Sequence, residues 1–244
     1  MKKQQVGFDW GKYEVIYDLP EKLLRDKSDT ELHLSKKLEP YLDRIKEELI
    51  IFTPYFVPGK SGVANLISFV KRGVRVRVLT NSLASNNHAI VHSGYSKYRK
   101  ALLRGGIEIY ELNMKFTRQE KKENKGSEGA TSAGLHAKSF VFDRSRVFIG
   151  TLNLDPVAVY NNTEIGVVIT QDDIAEMMGN WFDENIEKVA FRLELITDQN
   201  GMERILWHGI EDGKEVTFTK EPHTSFWTRF GVGFLSIFPI DSFL

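Results

Sequence analysis

The sequence predicts an α/β fold, and three features of the chain lead to that class. A short continuous apolar run over residues 48–53 is typical of a strand that is buried on both faces of a sheet. Segments with helical and with strand periodicity then alternate as far as residue 188. From Phe191 onward the pattern changes to short strands separated by turn residues, which predicts a small β-rich C-terminal extension.

The spacing of leucines and the positions of glycines predict where the helices and strands of the first half of the chain begin and end. A leucine stripe at helical spacing begins near Asp29 or Thr30, either of which suits a helix N-cap. Gly73 and Gly105 each follow a helical pattern and supply its stop. The predicted elements are a strand over residues 14–18, helices over 30–46, 61–72 and 89–104, and strands over 48–53, 74–80 and 107–112.

The second half begins with a pair of strands that are separated by a turn signal at Asp143. A methionine-bearing apolar stripe then predicts a helix that packs on the core. The predicted elements are strands over residues 138–143, 146–150 and 165–170, a helix over 172–188, and strands over 191–196, 204–208 and 215–219.

Two segments have more than one interpretation. Residues 113–134 form a long charged and glycine-rich loop, which is either a solvated tip or a surface for anionic lipid or DNA. Residues 226–240 form an apolar, aromatic tail that is too short and too glycine-broken to span a bilayer. The tail is expected either to lie in a membrane interface or to pack on a partner domain.

The composition is that of a globular protein and narrows the classes of function. A chain of 244 residues can bury one core, with or without a small appendage. The 33 basic and 33 acidic residues give a net charge of zero, which argues against a dedicated nucleic-acid binder. The absence of cysteine excludes disulfides and thiolate metal sites. No apolar run suits a signal peptide or a transmembrane helix, so we expect neither in this chain.

Four polar side chains are expected to converge where the strand over residues 138–143 begins and the strand over residues 146–150 ends. His136 and Lys138 share one face because side chains alternate along a strand, and period two places Thr151 and Asn153 on a common side as well. An imidazole, an ammonium group, a hydroxyl and an amide suit a phosphodiester, since they offer a nucleophile or acid, a fixed positive charge and neutral donors.

These residues resemble the HKD signature of the phospholipase D superfamily. The match comprises His136, Lys138, Asp143, Gly150 and Asn153, with Glu164 eleven residues after the asparagine. Residues 52–59, 73–82 and 153–156 are similar, more narrowly, to the second half of bacterial cardiolipin synthases. The resemblance covers the chain from about residue 8 onward and implies a phospholipase D-like domain, with a mixed sheet flanked by helices on both faces.

The resemblance also implies a role for each matched residue. His136 would carry the imidazole chemistry of a phosphohistidine mechanism, and Lys138 and Asn153 would hold phosphate oxygens. Thr151 stands where the family often has serine, and Glu164 would bond and orient the imidazole. No metal or cofactor is implied. The family's common Asp-Pro-Arg-Ser is Asp-Pro-Val-Ala over residues 155–158, which removes an arginine that could help to order the site.

Asp143 belongs to the signature and is therefore a candidate catalytic residue, but it lies at the far end of its strand from His136. We expect it to be a structural turn or salt-bridge residue. The resemblance further places Asn81, Ser82 and His92 at the substrate pocket. Helix capping explains the polar residues of the same loop without any chemistry, and both interpretations stay open.

The His-x-Lys pattern occurs once, so the chain supplies half of a two-motif active site. The predicted organisation is a connector over residues 1–29 from a missing N-terminal half, a catalytic half-domain over 30–190 and an extension over 191–244. The implied enzyme is a phospholipid phosphatidyltransferase at the bacterial cytoplasmic membrane. Its expected partners are an anionic phospholipid and a second HKD half-domain, in cis or from a homodimer mate, without nucleic acid. A homodimeric nuclease and an inactive half-site scaffold are the alternatives.

Overall fold

The computed structural model describes residues 11–86, 88–116 and 134–238. Its strands are β1 (Lys12–Tyr17), β2 (Glu48–Phe52), β3 (Arg75–Thr80), β4 (Glu108–Leu112), β5 (Ser139–Phe142), β6 (Arg146–Gly150), β7 (Ile165–Thr170), β8 (Ala190–Thr197), β9 (Glu203–Glu211) and β10 (Lys214–Phe218). They form one ten-stranded sheet in the order β1-β7-β6-β5-β2-β3-β4-β8-β9-β10. Strands β2, β3 and β4 are parallel and the other neighbours are antiparallel, so the predicted mixed sheet is confirmed.

Helices cover both faces of this sheet. They are α1 (Leu34–Leu42), α2 (Gly59–Lys71), α3 (Ala89–Ser96), α4 (Arg99–Arg104), α5 (Asp172–Val189) and α6 (Phe226–Leu235), with 3-10 turns at Pro20–Leu24 and Thr30–Leu32 and a π-helical turn at Val157–Asn161. Side chains alternate between the two faces along β5, and their contacts show which helices lie on each face. Phe140 packs in the cluster that contains residues of α1, α2 and α4, whereas Val141 packs on the other face with Phe182 of α5. The predicted fold class is therefore confirmed.

Two predicted helices are shorter than their sequence patterns. The helix expected over residues 30–46 begins only at Leu34, because the N–H of Leu34 donates to the carboxylate of Asp18. The helix expected over residues 89–104 is divided into α3 and α4, and at the division the N–H of Tyr98 bonds to the carbonyl of Tyr95, three residues earlier. Both differences arise from bonds that replace the regular helical spacing.

Segments near both ends of the chain contribute strands to the same sheet. The expected connector contains β1, which pairs with β7. The predicted extension begins with β8, which pairs with β4 and continues the sheet outward. The remaining residues of the connector, 1–10, and residues 117–133 of the predicted loop lie outside the described residues.

A buried cluster of charges fastens the C-terminal segment to the core. Arg99 donates to Glu111 at 3.0 Å and also pairs with Glu221. Trp207 of β9 donates its indole N–H to Glu111 at 2.8 Å, and His92 contacts Glu221 at 3.3 Å. These groups are enclosed together, so each charge depends on its partners for the hydrogen bonds that water would otherwise supply.

Helix α6 exposes a band of large apolar side chains. It packs on α3 and buries Val232, while Trp227 is 75% exposed. The other exposed members of the band are Phe226, Phe230 and Phe234 on the helix, and Ile237 and Phe238 directly after it. Among the helices within the described ranges, none combines the length and the apolar character that crossing a bilayer requires.

Candidate active site

The candidate site lies at the edge of the sheet where β2 and β3 end and β5 begins. Phe52 at the end of β2 pairs with Ser139 at the start of β5, and with Leu79 near the end of β3. Ser139 pairs in turn with Ile149 near the end of β6. The residues that precede β5 and follow β6 therefore emerge at one edge, as the sequence predicts for His136, Lys138, Thr151 and Asn153.

His136 and Lys138 lie next to each other at this edge. The ammonium of Lys138 is 3.0 Å from the carbonyl oxygen of His136 and 3.5 Å from its Nδ1. Burial lowers the pKa of Lys138, while the charges of Glu164 and Asp155 raise it. His136 itself is exposed. The pair presents an accessible imidazole beside a partly desolvated positive charge, which suits attack on a phosphodiester.

Glu164 is only 6% exposed, and its carboxylate accepts a hydrogen bond from the Thr151 hydroxyl. Thr151 also accepts from the N–H of Ile165 at 3.0 Å. Burial raises the pKa of Glu164, and the hydrogen bonds from Thr151 and Asn162 oppose that rise. In the part of the chain that the structure describes, the expected bond from Glu164 to His136 is not formed, and the carboxylate accepts from Thr151 and Asn162 instead.

Asn153 is held at the same edge by the apolar stretch that follows β2. Thr53 accepts from the N–H of Leu154 at 3.4 Å, and the N–H of Val57 donates to the carbonyl of Leu154 at 2.7 Å. The Oδ1 atom of Asn153 is buried and has no hydrogen-bond partner within the described residues. A buried carboxamide oxygen without a protein partner is costly, so Oδ1 of Asn153 has remaining capacity to accept a hydrogen bond from a donor.

Asp143 lies at the other end of β5, where the structure gives it a turn role. Its carboxylate accepts from the backbone N–H groups of Lys46, Glu47 and Glu48 at 2.8 to 2.9 Å. Its own φ is 47°, in the left-handed region. The structural interpretation of Asp143 therefore fits, and this member of the candidate catalytic set lies away from the others.

The three residues of the β3 loop have different surroundings. Asn81 is buried against the backbone of Leu135, directly before His136. Ser82 is buried, and its hydroxyl accepts from the N–H of Ser85 at 3.3 Å within a turn. The helix α3 has His88 at its N-cap and no side-chain cap bond, so the capping interpretation of this loop is wrong. His92 is 0% exposed and contacts Glu221, so its ring is closed to solvent.

An open apolar cavity of about 320 Å³ adjoins the site, and the sequence analysis did not identify it. Leu38 of α1, Leu66 of α2 and Phe140 of β5 line it, and Asp155 lies in its wall. Phe140 is two residues after Lys138 and points to the same face. Strand alternation could have assigned that face, but the gap depends on how far apart α1 and α2 pack, which has no signal in the sequence.

A match to a known protein family identifies the class of protein to which this chain belongs. The family model described as "Cardiolipin synthase, PLD-like domain" matches residues 38–186. The chain therefore belongs to the cardiolipin synthase branch of the phospholipase D-like family, and the resemblance inferred from the sequence is confirmed.

Particular relatives agree with this class, and a solved structure agrees with the fold. The chain is 38% identical to cardiolipin synthase C of Escherichia coli (strain K12) over 232 aligned residues. This alignment covers 95% of the chain and 48% of the relative. It is 28% identical to cardiolipin synthase A of Yersinia pseudotuberculosis over 68% of this chain and 29% of the relative. The phosphatidylserine synthase of Haemophilus influenzae Rd KW20 has a similar fold, with 16% identity, a TM-score of 0.52 and coverage of 74% of this chain and 39% of that one. The chain thus spans about half the length, or less, of these curated relatives.

Proposed function

We propose that this chain supplies one of two HKD half-sites in an enzyme that transfers a phosphatidyl group between alcohols, or from an alcohol to water. The observation that carries the proposal is the apolar cavity beside Lys138: Phe140, two residues further on, lines it, and so does Asp155, whose charge acts on Lys138. A phosphodiester at the exposed imidazole would then have an apolar space for a lipid chain beside it.

The reaction takes place in two displacements. One imidazole attacks phosphorus and forms a phosphorus–nitrogen bond, while the bond to the leaving alcohol breaks and a second imidazole gives that oxygen a proton. The second imidazole then takes a proton from the acceptor, whose oxygen attacks phosphorus and releases the first imidazole. His136 is one of the two imidazoles, and covalent catalysis divides a difficult displacement into two easier ones. Lys138 and the Nδ2 amide group of Asn153 donate hydrogen bonds to the non-bridging oxygens.

The second imidazole must come from another His-x-Lys motif, because this sequence contains the motif once. The relatives named above are about twice as long or longer, which supports a second half-domain within one polypeptide. A second copy of this chain could supply the same group in a homodimer. The half-domain over residues 30–190 would carry the site in either case.

A lipid substrate is favoured over nucleic acid for two reasons. The net charge is zero, so the chain lacks the basic excess that phosphate-backbone binding requires. The cavity wall is mostly apolar, which suits an acyl chain and not a nucleotide. The exposed aromatic band of α6 supports peripheral contact with the bacterial cytoplasmic membrane, since amphipathic helices of this kind lie in the interface.

The direct test uses phosphatidylglycerol vesicles and measures release of the glycerol head group. The chain is supplied alone, and also mixed with the portion of E. coli cardiolipin synthase C that it does not cover. We expect turnover in the mixture, and its absence there would reject the proposal. Cleavage of duplex DNA by the chain alone, with light scattering that shows a dimer, would instead establish the homodimeric nuclease. Vesicle binding without turnover would indicate the inactive scaffold.

A further inference from the structure

The carboxamide of Asn81 uses all four of its hydrogen-bonding positions within the protein. Its Oδ1 accepts from the N–H of Leu135 at 2.9 Å and from the hydroxyl of Ser85 at 3.2 Å. Its Nδ2 donates to the carbonyl of Leu135 at 3.1 Å and to the carbonyl of Pro54 at 3.2 Å. A carboxamide offers two donors and two acceptor lone pairs, so no position remains for a substrate.

We infer that Asn81 is a positioning residue, which fixes the backbone that leads into His136, and not a substrate ligand. It is only 4% exposed, so a substrate cannot reach it. Its bonds to both polar groups of Leu135 imitate a strand pairing at a residue that lies before β5 begins. The inference rests on the proposed catalytic role of His136.

His136 is thereby held from both sides. Leu135 is bound by Asn81, and on the other side the carbonyl of Lys138 accepts from the N–H of Gly150 at 3.0 Å. The imidazole therefore stands on a short span of backbone between two anchored residues. An error of about 1 Å in the position of a reacting group can reduce a rate about 100-fold, so an anchor at this point matters for the chemistry.

Gly134 shows how closely the chain approaches this anchor. A Cβ at Gly134 would lie 2.7 Å from the carbonyl oxygen of Ser85 and 2.9 Å from Oδ1 of Asn81. Real Cβ atoms do not approach a backbone oxygen so closely, so a side chain here would push the segment away from Asn81. A side chain at Gly134 and the loss of the Asn81 carboxamide would therefore disturb the same contact.

The test compares Asn81→Ala with Asn86→Ala. Asn86 lies in the same loop, but its Oδ1 accepts from the N–H of His88 and not from Leu135. With the mixture and substrate described above, we expect Asn81→Ala to reduce kcat about 100-fold while KM changes less than about twofold, whereas Asn86→Ala behaves like the unaltered chain. A rise in KM with kcat unchanged would overturn the inference, because it would mean that Asn81 binds substrate.

A second measurement does not depend on activity. Amide hydrogen exchange by NMR should show faster exchange of the Leu135 N–H in Asn81→Ala, with β3 and β5 as protected as before. Unchanged exchange at Leu135 would overturn the inference. If the unaltered chain gives no turnover, the proposed function fails, and the exchange result alone decides whether the anchor exists.

Gly134→Ala provides a variant that does not remove the carboxamide. It should also reduce kcat, and the double variant with Asn81→Ala should lose little more than either single variant, because both disturb one contact. Fully additive losses would contradict a shared anchor. This comparison keeps the inference testable if Asn81→Ala does not fold.

Discussion

The hydroxyl of Thr151 donates to the buried carboxylate of Glu164, thirteen residues further along the chain. The carboxylate that the family pattern assigns to the imidazole is therefore held in place by a hydroxyl from the end of β6. Burial alone would raise the pKa of Glu164, and the bond from Thr151 favours its charged form. Thr151 thus favours the ionised form of Glu164 against the effect of burial.

We expect Thr151→Val to shift the acid limb of the rate profile to higher pH. The variant keeps the shape of the side chain but removes the bond that opposes the raised pKa, so Glu164 gains its proton at a higher pH. Thr151→Ser keeps a hydroxyl and serves as the control, with a profile close to that of the unaltered chain. Profiles of kcat against pH that superimpose for the threonine and valine forms would show that Glu164 has no part in the reaction.

Filling the apolar cavity should affect long acyl chains selectively. Ser35 of α1 is half-buried and lines the cavity, so Ser35→Phe would occupy part of it. We expect kcat/KM for long-chain phosphatidylglycerol to fall about 10-fold, while a short-chain soluble analogue is turned over as before. Ser35→Ala adds no volume and is the control. Equal losses on both substrates would place the acyl chain elsewhere.

The exposed aromatic band of α6 predicts reversible binding to anionic vesicles. Replacing Trp227 by serine should weaken co-sedimentation with such vesicles about 10-fold, because one large apolar side chain contributes about 1.5–3 kcal/mol when it leaves water. Met177 of α5 is 63% exposed and offers a matched control, since Met177→Ser removes an apolar side chain from a different surface. Equal effects of the two substitutions would argue against α6 as the membrane contact.

The buried charge cluster predicts a specific dependence of stability on pH. Burial by itself would raise the pKa of Glu221, but the charge of Arg99 and hydrogen bonds from Arg99 and His92 outweigh it and lower the pKa to about 2. A glutamate in an unfolded chain titrates at about 4.3, so the stabilisation is complete above that pH and is lost as the pH falls toward 2. The measurement is urea unfolding of the unaltered chain and of Glu221→Gln.

At pH 7 we expect Glu221→Gln to lower the free energy of unfolding by about 3 kcal/mol, as breaking a buried pair does. That difference should shrink between about pH 4.3 and pH 2. Glu203→Gln breaks the exposed pair with Arg104 and should change stability little. A difference that is constant with pH would contradict the assignment of the shifted pKa to Glu221.

Local periodicity predicted much of the fold and the core of the site. The alternation of His136, Lys138 and Phe140 is a property of one strand, whereas the sheet order joins distant segments, such as β1 with β7 and β2 with β5. The structural role of Asp143 also followed from its distance along that strand. Such inferences succeed because they depend only on spacing along one strand.

Contacts between distant residues account for what the sequence could not predict. Asn81 and Leu135 are 54 positions apart, and Arg99 and Glu221 are 122 apart. An asparagine that follows a strand has the same local pattern whether it binds a substrate or a backbone segment. Only the packed structure shows that its bonds are already used, and the cavity between α1 and α2 likewise depends on the spacing of packed helices.

The most direct test of the central claim is head-group release from phosphatidylglycerol by His136→Asn, mixed with the complementary portion of E. coli cardiolipin synthase C. His208→Asn is the control, since His208 lies on β9 and contacts Glu194. We predict that His136→Asn loses at least about 100-fold in rate while His208→Asn keeps the full rate. A rate for His136→Asn within about twofold of the unaltered chain, a difference of about 0.4 kcal/mol in the barrier, would contradict the account.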